Sequence, residues 1–238
     1  MNYKKTILLV FIILSLSSCK GLIYKLLAPK HPELKILYNE EKEKTFAFIP
    51  MVHIAKPVFF KETKEIVDSL RQKGFVIYYE SVNSPKIKTA TAEEDTLLRK
   101  FRRLVGFQAG DYTNKNNEST PNFMKNGKYV MQTAKNTGIK RDDCNVDLSA
   151  YQIIRGYEKK YGEIKLNQCD WNTKFFGKYD CHEDELNNFY ALNTLREEYI
   201  FKKSIQSSHT KILMIYGKQH YLFLYPDYLK KGYKLISE

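Results

Sequence analysis

Residues 45–80 read TFAFIPMVHIAKPVFFKETKEIVDSLRQKGFVIYYE, and this stretch decides the fold. Thr45 to Ile49 is an unbroken apolar run of the kind a fully buried strand needs, and Pro50-Met51-Val52-His53 turns out of it. Phe59, Ile66, Val67 and Leu70 keep the spacing of one helix face as far as Gly74, a helix stop. Phe75 to Tyr79 is a second continuous apolar and aromatic strand, ending at Glu80. Two buried strands joined by a helix predict a parallel pair in a sheet covered by helices. The loop leaving the first strand and the residue ending the second then lie at the same carboxyl edge, so His53 and Glu80 are expected as neighbours.

The far end of the chain repeats the plan. Ile212 to Tyr216 reads as a strand, followed by Gly217-Lys218-Gln219-His220, a helical stretch to Lys231, and Gly232-Tyr233-Lys234-Leu235. Leu70 to Phe75 and Leu229 to Tyr233 share a basic helix end, a glycine stop and an aromatic strand start. This echo places a histidine just past a strand in each half. The expected fold is therefore α/β: a mostly parallel sheet flanked by helices, with strand-helix-strand units at both ends forming two related halves. Packed side by side in one sheet, the halves turn His53 and His220 toward one cleft.

Between the halves the pattern is less regular. Asp95 to Gly106 has helical spacing, 108–128 is a polar loop or lid, and Leu148 to Tyr161 and Asp184 to Ile205 read as helices. In the last of these, Arg196 sits on the apolar stripe formed by Phe189, Leu192, Tyr199 and Ile200, where it must find a partner, either water or a carboxylate in the cleft. Arg99, Lys100, Arg102 and Arg103 form the densest basic cluster and read as a solvated helix face. His31 and His209 are expected away from the cleft.

The chain has 238 residues and a formal net charge of +12, with 43% hydrophobic and 14% aromatic residues. That composition excludes a disordered tail, a collagen-like fibre and a multi-span membrane protein. Lys4 and Lys5 precede an apolar run from Ile7 to Leu14 and then Leu16-Ser17-Ser18-Cys19. The run is shorter than the ~20 residues a membrane span needs and has the layout of a lipoprotein signal, with Cys19 as the lipidated first residue of the mature chain. The expected organisation is a signal peptide at 1–18, a lipid-anchored linker at 19–43 and one domain at 44–238. The protein is then held at the bacterial cell envelope by lipid and faces the periplasm, since no acidic run follows Cys19. Its positive charge is expected to face anionic headgroups or cell-wall polymers rather than nucleic acid. Three cysteines remain, Cys144, Cys169 and Cys181. An exported compartment permits disulfides, and Cys169 with Cys181 is the expected pair, although spacing does not fix connectivity.

Four short elements frame nearly all of the mature chain: Pro50-Met51-Val52-His53, Tyr79-Glu80, Leu195-Arg196-Glu197, and Gly217-Lys218-Gln219-His220 ahead of Gly232-Tyr233. In this the sequence resembles the TraB family, also called PrgY or GumN. That family includes the TIKI proteases and is related in fold to ChaN-like haem-binding lipoproteins and erythromycin esterases. Its paired pattern is Gly-x-x-His, and Pro50 stands where the first copy has glycine. The resemblance implies a metal-dependent hydrolase, a peptidase in TIKI-like relatives, in which His53, Glu80 and His220 hold Mn, Co or Zn. Glu80 would be a ligand or the general base, and Arg196 an orienter of Glu80 or a stabiliser of negative charge. Two imidazoles and a carboxylate with one open position suit such an ion and can lower the pKa of its bound water. The alternatives are a noncatalytic lipoprotein binding haem or another small molecule through the same histidines, and an envelope scaffold with a vestigial site.

Overall fold

A computed structural model describes residues 29–106, 128–175, 177, 179–181 and 186–237. The signal segment, Cys19 and all but the last residue of the 108–128 loop lie outside the described residues.

Two strands at the centre set the architecture. β2 (Lys44–Met51) and β7 (Lys211–Gly217) run parallel and pair from Thr45 with Lys211 to Met51 with Gly217. From β2 the chain passes through β3 (Ile54–Ala55) into helix α1 (Pro57–Gln72). It returns as β4 (Val76–Tyr79), parallel to β7 on its far side. From β7 the chain enters helix α7 (Lys218–Lys230) and returns as β8 (Lys234–Ser237) at the opposite edge of the sheet. With β1 (Lys35–Asn39) and β6 (Cys144–Asn145), the six-stranded order is β6-β4-β7-β2-β1-β8, antiparallel only at β1. A second, two-stranded ladder pairs β3 with β5 (Val130–Met131).

The two crossovers run in opposite directions along the sheet and lie on opposite faces, and the alternation of strand side chains supplies an apolar set to each. Phe46 and Phe48 of β2 and Ile212, Met214 and Tyr216 of β7 face Leu224 and Tyr228 of α7. Ala47 and Ile49, with Leu213 and Ile215, face Phe59, Phe60, Val67 and Leu70 of α1. Both faces of the central pair are fully buried, which is why these strands read as continuous apolar runs. Gly74 and Gly232 each end a crossover helix in the left-handed region, at φ of +83° in both cases, where a side chain would be strained.

A third cluster is built from helices and the loops beside them, with no strand residue. It joins α2 (Ala92–Val105) and α4 (Ala150–Tyr161) to a wide π turn at Tyr190–Thr194, which runs on into α6 (Leu195–Gln206). A short helix, α3 (Ala134–Thr137), packs on α1, and α5 (Gln168–Asn172) packs on α2. No described helix is long and apolar enough to cross a membrane. All residues of the three clusters lie between Leu34 and Leu235, so a chain from Lys20 to Glu238 carries the whole described core.

Two expectations need correction. The stretch 19–43 is not all linker, because β1 lies within it and pairs with both β2 and β8. The basic cluster is not a solvated face: Arg102 is 1% exposed and Arg103 9%. Arg102 donates to the carbonyls of Asp170, Thr173 and Lys174 and lies against the Phe175 and Tyr179 rings. Arg103 pairs with the fully buried Asp170, while Arg99 and Lys100 pair with Asp95 and Glu158. The carbonyl ends of α5 supply the acceptors, 68 or more residues away in sequence. A disulfide between Cys169 and Cys181 spans the same loop, and Cys144 carries a free thiol.

Phe48 is fully buried between β2 and α7 and touches Tyr221 and Tyr228 edge-on. Phe48→Ala is expected to lower stability by ~3–5 kcal/mol in urea unfolding, with the slope of the transition unchanged.

Candidate functional site

The carboxyl ends of β2, β4 and β7 lie side by side, with Met51 opposite Gly217 and Tyr79 opposite Ile215. One connection leaves this edge over each face of the sheet, which opens a crevice between them. The crevice is a cleft of about 600 Å3 closed on its far side by the helical cluster. His53, Glu80, Arg196 and His220 all line it.

The polar end of the cleft is a linked set of charges. Glu80, just past β4, accepts from Arg196 Nη2 (2.9 Å) and His220 Nε2 (3.2 Å) on Oε1 and from the Gly217 amide (2.7 Å) on Oε2. Arg196 is clamped from behind by Asp147, Nε to Oδ1 at 2.9 Å and Nη2 to Oδ2 at 2.6 Å, and Nη1 donates to the Leu192 carbonyl. Asp147 is 7% exposed and Arg196 6%, so this is a buried pair in which each of the three guanidinium nitrogens has an acceptor. On the other side of the His220 ring, Nδ1 lies 3.5 Å from Glu197 Oε1. That is an ion-pair contact too long and poorly aligned for a hydrogen bond, and neither atom has another partner among the described residues.

These contacts set the charge states. Burial of Glu80 favours its neutral form, but the hydrogen bond and charge of His220, the charge of Arg196 and the Gly217 amide more than offset it. The carboxyl is held well below the usual carboxylate range. Burial likewise disfavours a charged His220, and Glu197 and Glu80 more than offset that, raising it to about 9. At neutral pH the cleft therefore holds an ionised glutamate and a protonated histidine, both fixed in place.

The two histidines are not equivalent. His220 sits in the first turn of α7 and is buried, whereas His53 lies in the turn between β2 and β3 and is exposed at the cleft's mouth. Register explains the difference, because Gly217 stands opposite Met51 rather than Pro50. The helix begins directly after Gly217, while the first half inserts β3 before its helix. Gly217 also permits the close approach of Glu80, since a Cβ there would come within 3.1 Å of Oε2. Pro50 lies beyond the β1 ladder, which ends opposite Phe48, so its missing N–H costs no bond on that side.

His31 pairs with Glu62 on the surface and His209 lies against the Tyr78 ring before β7, both outside the cleft lining. Asp147 and Glu197 complete the site; the sequence marks neither for a role, although Glu197 stands in the Leu195-Arg196-Glu197 element. Asp147 stands just ahead of the Ser149 helix cap, and Glu197 is one of two acids in the first turn of α6, so each resembles a surface helix-start acid.

The side chains as they stand do not fit a two-histidine, one-glutamate metal centre. Both Glu80 oxygens are taken by N–H donors, the fixed charge of Arg196 lies against one of them, and His220 Nε2 points at that same oxygen. Among the described residues, no three His, Cys, Asp or Glu side chains are grouped to hold an ion. No family model, curated protein or solved structure matches this chain.

An unfolded histidine titrates near ~6.5, and folded His220 near about 9. Its ion pairs therefore stabilise fully below about pH 6.5, and that contribution is lost as pH rises through about 9. The stability gap between wild type and His220→Gln in urea unfolding is expected to reach ~3 kcal/mol at pH 6 and to narrow by pH 10. A gap that stays constant would mean His220 is uncharged. Arg196→Met, which strands two buried carboxylates, is expected to cost ~3–5 kcal/mol at pH 7, measured the same way.

Proposed function

We propose that this protein is an envelope lipoprotein of the TraB/GumN type whose cleft hydrolyses an ester or amide bond. The observation that carries this reading is the division of labour between His53, open to solvent, and His220, buried and cationic, on one cleft at adjacent strand ends. His53 takes a proton from water as the water oxygen bonds to the substrate's carbonyl carbon. The negative charge that develops on the carbonyl oxygen is stabilised across the cleft by the fixed positive charge of the His220 ring, whose two nitrogens stay directed at Glu80 and Glu197. His53 then returns its proton to the leaving oxygen or nitrogen as the carbon–leaving group bond breaks. Glu80, Arg196, Asp147 and Glu197 are positioning residues, because they hold the His220 ring in place and keep it protonated. The leader ending at Ser18 and the cysteine after it support export and lipid anchoring.

The test is hydrolysis of p-nitrophenyl esters and chromogenic peptide amides by the Lys20–Glu238 form. His53→Ala and His220→Ala are each expected to lower kcat/KM at least a hundredfold with the fold intact. Activity is expected to fall as pH rises through about 9, because His220 loses its charge there. Glu197→Gln is expected to move that alkaline limb to lower pH. Elemental analysis runs alongside. Near one equivalent of a transition metal, lost in the His53→Ala/His220→Ala variant, would replace this reading with the metal-dependent one. A Soret band on adding haem, lost in either variant and without hydrolysis, would replace it with ligand binding.

A further inference from the structure

Beyond its charged end, the same cleft has a wall of a different kind. Val82 from the loop after β4, Phe101 and Val105 from α2, and Leu192 from the π turn face it in succession. Phe101 and Val105 belong to the core of the helical cluster, and Val82 and Leu192 pack on that core, so the wall is held rigidly. At the mouth stands Lys218, exposed at the start of α7 and lining the cleft, with no ion-pair partner among the described residues.

Resting on the hydrolase reading above, we propose that the substrate is an acyl ester or amide with an unbranched aliphatic acyl chain. The chain lies along Val82, Phe101, Val105 and Leu192. The scissile carbonyl sits between His53 and His220, and Lys218 meets the carboxylate of the released acid. Charge complementarity fixes the orientation, with a cationic mouth for the anionic end and an apolar wall for the tail. A peptide fits this wall less well. Val82, Phe101, Val105 and Leu192 offer no side-chain partners to the amide groups of a buried peptide backbone, and Ser84, Asn193 and Gln219 are the uncharged polar side chains of the lining.

Alkanoate anions are products of the proposed reaction and serve as probes that bind without chemistry. Calorimetric titration of the Lys20–Glu238 form with hexanoate, octanoate and decanoate is expected to give a Kd that falls about tenfold for every two methylenes added. In Leu192→Asp the chain-length dependence is expected to vanish. In Lys218→Glu all three acids are expected to weaken by a similar factor, with the dependence retained. If Leu192→Asp fails to fold by circular dichroism, Val82→Asp carries the same expectation. A flat chain-length series, no binding of decanoate, or decylammonium binding as tightly as decanoate overturns the proposal. So does the blocked tripeptide acetyl-Leu-Leu-Val-amide binding more tightly than decanoate. The two readings fail separately: alkanoate binding without ester hydrolysis sinks the hydrolase and leaves the acyl site, whereas hydrolysis with a flat series sinks the acyl chain alone.

Discussion

The guanidinium of Arg196 is the constraint on which the rest of the site depends. A buried arginine is costly unless every donor finds an acceptor, and here the acceptors come from three places far apart in sequence: Asp147, Glu80 and the Leu192 carbonyl. Satisfying it pins α6 to the end of β4 and to the loop between β6 and α4. Glu80, once held by Arg196, is in turn the acceptor that orients Gly217 and His220. The sheet edge, the helical cluster and the first turn of α7 therefore meet at one ionic network. Removing any carboxylate from it would leave a buried positive charge short of acceptors.

The same network explains which parts of the molecule were legible in the sequence. The central strands are buried on both faces, so Phe46 to Ile49 and Ile212 to Tyr216 announce themselves as apolar runs. Their carboxyl ends follow from the handedness of crossovers, which is enough to bring His53, Glu80 and His220 to one edge. Asp147 and Glu197 were hidden because their partners are tertiary. A carboxylate before a helix cap or in a first helical turn has a local electrostatic role of its own, and nothing nearby marks it as buried. Arg102 and Arg103 illustrate the converse error, since helical spacing assigns cations to water unless a distant loop supplies carbonyls and aromatic faces. β1 is not legible in the sequence because five residues give too short a run to show a period.

The molecule has two kinds of core, and the cleft is the seam between them. The sheet with α1, α6 and α7 packs by alternation of strand side chains, whereas α2, α4 and the π turn pack helix on helix. Arg102, Asp170 and the Cys169–Cys181 disulfide brace the outer side of the helical layer. Apolar side chains on the inner side that reach the seam have no strand to cover them, which is why Val82, Leu192 and their neighbours are available to a ligand. The wide turn at Tyr190–Thr194 has a local consequence in this setting. A π turn shifts the residues after it relative to those before it, so Leu192 can face the cleft while Arg196 reaches beneath it to Asp147.

Pro50 at the end of one central strand and Gly217 at the end of the other bear on how the two halves divide the chemistry. Gly217 brings its backbone within hydrogen-bonding distance of Glu80, and this contact places His220 against the same carboxylate, buried and charged. Proline offers no amide to such a carboxylate, and one residue of register separates it from the glycine position. The first half consequently leaves His53 in an exposed turn, tied to its surroundings through its backbone carbonyl and Gln132. The two strand ends therefore carry one ring open to water and one that is buried and charged, and a reaction needing both a group that exchanges protons with water and a fixed positive charge is served by such an unequal pair.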